Sequence, residues 1–199
     1  DMMYICTTGL GHVDPRAALS PSALRPGDRL VVSGPIGAHG TAIMLARGEF
    51  DLDATIVSDT RSLWPAVYAL LTHAGTGLRC LRDATRGGVA SVLNELARAS
   101  GVAMLVQEAA VPVDPAVAGA AELLGIDPMH VANEGVLVAA VAPEWTDAAL
   151  SALRGGAFTR AAEIGEVRTS PAGMVLVETG FGGRRVLDQL VGDPLPRIC

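Results

Sequence analysis

Short apolar runs, each bounded by glycine, proline or polar residues, alternate along this chain with longer stretches of helical periodicity. That alternation is the strongest constraint on the fold, because a strand that is apolar along its length has to be covered. Strands are expected over 2–8, 29–33, 78–81, 103–106, 136–141, 161–167 and 174–178, the last two as a closing pair. Helices are expected over 38–47, 59–71, 87–100, 115–124 and 144–154. The helix over 59–71 is placed by Asp59-Thr60, a plausible N-cap pair. The helix over 87–100 is placed by Val89, Val92, Leu93, Leu96 and Ala97, which share one face. The fold class that follows is α/β (α+β), a mixed sheet covered by helices. From Gly180 onward the chain reads as a tail punctuated by glycine and proline, in which 186–191 is expected to dock weakly through its leucines. No internal repeat or low-complexity block interrupts the pattern.

Composition narrows what such a fold does. Half of the 199 residues are hydrophobic and only 4% aromatic, so the core is built from Ala, Val and Leu. The net charge is −6. No basic stripe is present to neutralise a phosphate backbone, which argues against nucleic-acid binding. All 15 cationic side chains are Arg, so any catalytic Lys has to come from outside this chain. Cys6, Cys80 and Cys199 are far apart and form no CxxC pair. A disulfide framework or structural zinc site is therefore not expected, and the cytoplasm is the expected compartment. Apolar runs such as 136–142 are too short to span a bilayer, so no membrane partner is expected. The chain starts at Asp1 with no signal peptide and enters a strand directly, which suggests a fragment.

Four segments carry possible chemistry. In Asp83-Ala84-Thr85-Arg86-Gly87-Gly88 a carboxylate stands at a strand end and two glycines open a helix. Unpaired N–H groups at a helix start attract phosphate, and glycine lets it approach closely. Arg86 adds a fork of donors, and Asp83 is suited to holding Mg²⁺ against the phosphate. The alternative is a helix cap and a plain glycine turn. In Asn133-Glu134-Gly135, a carboxylate stands at the entrance of the apolar strand, where it is a candidate general base. The alternative is a solvated turn, and His130 nearby reads as structural. Ser33 to Gly40 lies between a strand and a helix without the ending of a P-loop. It is either a phosphate-lining loop or a tight turn. Finally, 192–199 ends in Pro194-Leu195-Pro196-Arg197-Ile198-Cys199. Measured from Gly182 this tail reaches at most roughly 55–60 Å, enough to present a terminal thiol to distant sites.

The first of these segments resembles the D-x-T-R-G-G stretch of the aminoimidazole ribonucleotide synthetase-like superfamily. Residues 33–40, Ala132-Asn133-Glu134-Gly135, 162–167, 179–183 and the ending Pro196-Arg197-Ile198-Cys199 are similar to its HypE family. The resemblance covers nearly the whole chain and implies the C-terminal domain of that fold, followed by a flexible tail. It implies three divisions: 1–13, the last strand of an N-terminal ATP-binding domain; 14–179, an α/β domain; and 180–199, the tail. It also implies a homodimeric, ATP- and Mg²⁺-dependent carbamoyl dehydratase in [NiFe]-hydrogenase maturation. The carbamoyltransferase HypF loads the terminal thiol, the carboxamide is dehydrated to a thiocyanate, and cyanide passes to iron on the HypC–HypD scaffold.

By position, Cys199 then carries the substrate, and Glu134 with Asn133 acts at the thiocarboxamide. Thr85, Arg86, Gly87 and Gly88 lie near the phosphates, and Asp83 binds Mg²⁺. Family members carry an N-terminal domain before this region, so the isolated chain is expected not to turn over ATP. Two other readings are a relative of selenophosphate synthetase, which needs no Cys199, and a non-catalytic dimerisation or docking module.

Overall fold

The computed structural model describes residues 6–48 and 55–190. Among these, seven strands form one mixed sheet. They are β1 (Arg29–Val32), β2 (Leu78–Asp83), β3 (Ala103–Gln107), β4 (Leu137–Val141), β5 (Ala162–Arg168), β6 (Val175–Glu178) and β7 (Arg184–Val186). Their order across the sheet is β2-β4-β1-β5-β3-β6-β7. Every neighbouring pair is antiparallel except β3 with β6. The helices are α1 (Ala38–Ala46), α2 (Trp64–His73), α3 (Gly88–Ser100), α4 (Pro115–Leu124) and α5 (Thr146–Arg154).

Strand side chains alternate in direction, and here both faces are covered. On one face Leu30, Val32, Val138 and Ala140 pack with Val89, Val92, Leu93 and Leu96 of α3. On the other, Val31, Leu137, Ala139 and Val141 pack with Leu70 of α2 and Leu150 and Leu153 of α5. β4 is therefore buried at every position, which is why its sequence shows no polar alternation. Each fully buried Leu contributes about 1.5–3 kcal/mol relative to exposure. α3 stops at Gly101, whose φ of +63° is the left-handed conformation that closes a helix. α4 begins after Asp114 with Pro115 in its first turn and stops at Gly125, φ +65°.

Four sequence expectations are corrected. The strand expected over 2–8 falls partly on residues 1–5, outside the described residues, and 6–8 form no strand. The helix expected from Asp59 begins at Trp64 instead, with Pro65 in its first turn. Asp59 is drawn away to a distant turn, where it accepts backbone N–H groups. The strands near 161–167 and 174–178 do not pair with each other; both flank β3.

The fourth correction concerns the tail, which is not loose from Gly180. β7 pairs with β6, Leu187 is 1% exposed, and the buried Asn94 amide donates to the Leu187 carbonyl at 2.8 Å. Burying Leu187 against α3 fixes the chain across this helix, and the domain extends beyond 179. His130 Nε2 lies 3.0 Å from the Asp188 carbonyl, in keeping with a structural role for this histidine.

Candidate functional site

β4 runs antiparallel to both β1 and β2, so its first residue lies beside their last ones. Leu137 N–H donates to the Ser33 hydroxyl and Ser33 N–H to the Leu137 carbonyl, both at 3.0 Å. Ala84 N–H donates to the Val136 carbonyl at 3.0 Å. Three turns therefore meet at this end of the sheet: the one after β1, the one after β2 and the one before β4. These are the segments the sequence singles out around Ser33–Gly40, Asp83–Gly88 and Asn133–Gly135.

Asn133 joins them. Its Oδ1 accepts from Gly37 N–H at 2.8 Å, and its Nδ2 donates to the carbonyls of Ala84 (2.9 Å) and Val131 (3.1 Å). The residue is 0% exposed. Both of its donors are used within the protein, so the expectation that Asn133 acts directly on a substrate is corrected: it is a buried staple of the three turns. Glu134 next to it is half-buried, and its carboxylate has no hydrogen bond or ion pair among the described residues.

The turn after β2 leads into α3. Gly87 and Gly88 have φ of +69° and +61°. A Cβ on Gly88 would stand 2.5 Å from the Met129 carbonyl and 2.6 Å from that of Val131, so only glycine permits this approach. The first N–H groups of α3 lack partners within the helix. Arg86 and Asp83 are exposed, Thr85 is half-buried, and the Thr85 hydroxyl is 3.4 Å from Asp83 Oδ2. No group of three or more His, Cys, Asp or Glu able to hold a metal lies among the described residues. Mg²⁺, however, keeps several waters and takes its other oxygens from phosphate, so it needs only one or two carboxylates. Asp83 fits that use.

Sequence reasoning missed one part of the site, the segment Ser58-Asp59-Thr60-Arg61, which lies as a strap over the turn before β4. Asp59 Oδ1 accepts from the N–H of Glu134 at 2.7 Å and of Gly135 at 3.0 Å. Arg61 Nε donates to the Gly135 carbonyl at 3.0 Å, and its guanidinium lies 4.2 Å from the centre of the Phe158 ring. Burial lowers the Arg61 pKa, while the charge of Asp59 opposes that shift. The strap is also tied to α1, with His39 Nδ1 2.9 Å from the Ser58 hydroxyl. Gly135 is required here, since a Cβ would fall 1.8 Å from the Asp59 carbonyl oxygen. The one sequence signal was Asp59 itself, a carboxylate suited to capping N–H groups. What it caps is 75 residues away rather than in the next helix.

A small apolar cavity of about 170 Å³ lies nearby, lined by Ile36, Val111, Val113, Met129 and Val177. Arg185 stands at its rim and binds Asp127 at 2.7 Å. Cys199 lies outside the described residues. No helix among the described residues is long and apolar enough to cross a membrane.

Residues 25–178 match the family described as AIR synthase related protein, C-terminal domain. Carbamoyl dehydratase HypE of Bradyrhizobium diazoefficiens is 47% identical over the whole chain, which spans 58% of that relative. A crystal structure of hydrogenase maturation protein HypE in complex with ATP is 41% identical, with a TM-score of 0.84 over 90% of this chain and 55% of that one. A crystal structure of a HypE–HypF complex is 39% identical, with a TM-score of 0.82 over 86% of this chain and 56% of that one. The chain thus spans little more than half the length of the relatives it matches.

Proposed function

The chain belongs to the AIR synthase related family through its C-terminal domain and matches the C-terminal portion of HypE proteins; on that premise we propose that the full-length protein dehydrates an S-carboxamide on Cys199 to a thiocyanate, using ATP. The observation that carries this reading is the pairing of two features at one end of the sheet. One is the glycine-opened start of α3, a natural seat for phosphate. The other is Glu134, a half-buried carboxylate without a partner among the described residues, held on the adjoining turn.

The chemistry has one obstacle: an amide oxygen is a poor leaving group. Its attack on the γ-phosphorus of ATP releases ADP and converts it to a phosphate ester. The C–O bond then breaks with its electron pair going to phosphate, and nitrogen gives up its two protons as the S–C≡N triple bond forms. Glu134 accepts one nitrogen proton as phosphate departs, and the other is carried off on the phosphate. The α3 N-terminus, with Thr85, Arg86, Gly87 and Gly88, lies along the phosphates, and Asp83 holds Mg²⁺. The ion supplies charge neutralisation for the transferring phosphoryl group. Asn133 touches no substrate; it holds the Glu134 turn against the turns that follow β1 and β2. Covalent attachment to the tail gives the reacting group a high effective concentration.

A HypE–HypF complex among the similar structures supports a carbamoyltransferase of the HypF type as the partner that loads Cys199. A homodimer, a HypC–HypD acceptor for the cyanide and a cytoplasmic setting complete the proposal.

The test is intact mass spectrometry of the full-length protein incubated with the carbamoyltransferase, carbamoyl phosphate, ATP and Mg²⁺. The expected result is the mass of a carbamoyl group on Cys199, followed by ATP-dependent loss of one water. In Glu134→Gln the carbamoyl group accumulates and water is lost only at a slow residual rate. An unmodified Cys199 in a working maturation mixture overturns the proposal.

A further inference from the structure

We infer that Asp59 is a positioning residue for the dehydration, acting through Glu134; this rests on the assignment of Glu134 as the base. The Glu134 side chain makes no hydrogen bond or ion pair among the described residues, so its direction is set by the backbone that carries it. That backbone is gripped from three sides. Asn133 anchors it to Gly37, Ala84 and Val131 from below. Arg61 holds the Gly135 carbonyl at 3.0 Å. Asp59 Oδ1 takes the two consecutive N–H groups of Glu134 and Gly135.

Asp59 is the only one of the three that bonds Glu134 itself. Its second oxygen, Oδ2, is buried without a partner among the described residues. A buried acceptor left unpaired is costly, so the geometry places this carboxyl for the grip of Oδ1 and not for its own solvation. The strap that carries it is fixed in turn. Ser58 meets His39, Arg61 lies over Phe158, and the close passage of the Asp59 carbonyl over Gly135 leaves no room for a Cβ. Releasing the two N–H groups lets the turn rotate and carries the Glu134 carboxylate off the nitrogen proton. A misplacement of about 1 Å costs on the order of a hundredfold in rate.

Single-turnover dehydration of the carbamoylated full-length protein tests this, read by mass, with ATP affinity measured alongside. Asp59→Ala is expected to slow water loss about ten- to a hundredfold with carbamoyl loading and ATP affinity unchanged. Asp59→Asn keeps the acceptor oxygen and is expected to stay within a few-fold of wild type. Asp59→Glu keeps the charge but displaces the oxygen by a methylene, and is expected to be as slow as Asp59→Ala; it carries the comparison if Asp59→Ala does not fold. Because the effect passes through Glu134, the double variant Asp59→Ala/Glu134→Gln is expected to be no slower than Glu134→Gln alone. Dehydration at the wild-type rate in Asp59→Ala or Asp59→Glu overturns the inference, as does full additivity in the double variant. Asn as slow as Ala also overturns it, since charge and not the grip would then matter. Wild-type dehydration in Glu134→Gln instead sinks the assignment of the base.

Discussion

Asn133 and Asp59 have polar side chains that bind main-chain groups of other turns, and this gives their substitution a definite cost. Asn133→Ala leaves Gly37 N–H and the Val131 carbonyl facing a void, while the Ala84 carbonyl keeps the main-chain N–H of residue 133. Each buried group left unsatisfied costs about 1–3 kcal/mol, so urea denaturation is expected to show a loss of at least about 2 kcal/mol. Gly135→Ala is expected to do more than destabilise. Its Cβ expels the strap, and water loss from the carbamoylated protein stops, as the same mass assay reads. Neither role was legible locally. Asn-Glu-Gly is sound turn chemistry whether or not a distant carboxylate sits on it, and Asp-Thr followed by a helix is a normal cap. What identifies the strap is a contact between residues some 75 apart, which no local pattern encodes. The opening of α3 was legible as a glycine turn running into an amphipathic helix, a feature common to both of its sequence readings.

Elements read well where their ends carry chemistry. α3 stops at a left-handed glycine, and α4 has a proline in its first turn and a glycine after its last. β4 read well because complete burial leaves a run of apolar residues. β7 was not legible: Arg184-Arg185-Val186 is short, polar and without alternation, and it is a strand because β6 offers an open edge. The insertion of β3 between β5 and β6 was hidden for a related reason, since pairing partners are chosen across the whole sheet. The anchor after β7 makes a quantitative prediction. Leu187 is buried against the core that α3 shares, so Leu187→Ala is expected to cost about 2–5 kcal/mol in chemical denaturation.

For the molecule as a whole, burial on both faces of the sheet sets the reactivity of its thiols. Cys80 lies in the core, and burial raises its pKa above the ordinary value, with Arg82 opposing weakly. The folded state therefore favours the neutral thiol. That contribution is fully present below the unfolded thiol pKa of about 8.5 and is lost as pH rises beyond it. Stability is expected to fall above that pH, and less steeply in Cys80→Ala when the two slopes are compared. Of the two cysteines among the described residues, alkylation of the native protein is expected to label Cys6, which is exposed, and to reach Cys80 only on unfolding. The docking of residues 184–190 has a further consequence for Cys199. Cys199 lies nine positions beyond Leu190, a leash of at most about 30 Å. On the proposed function, a leash that short makes the choice of destination a matter of radius: whatever loads, dehydrates or unloads the thiol has to come within one small sphere around the end of the docked segment, and the three events have to take turns there.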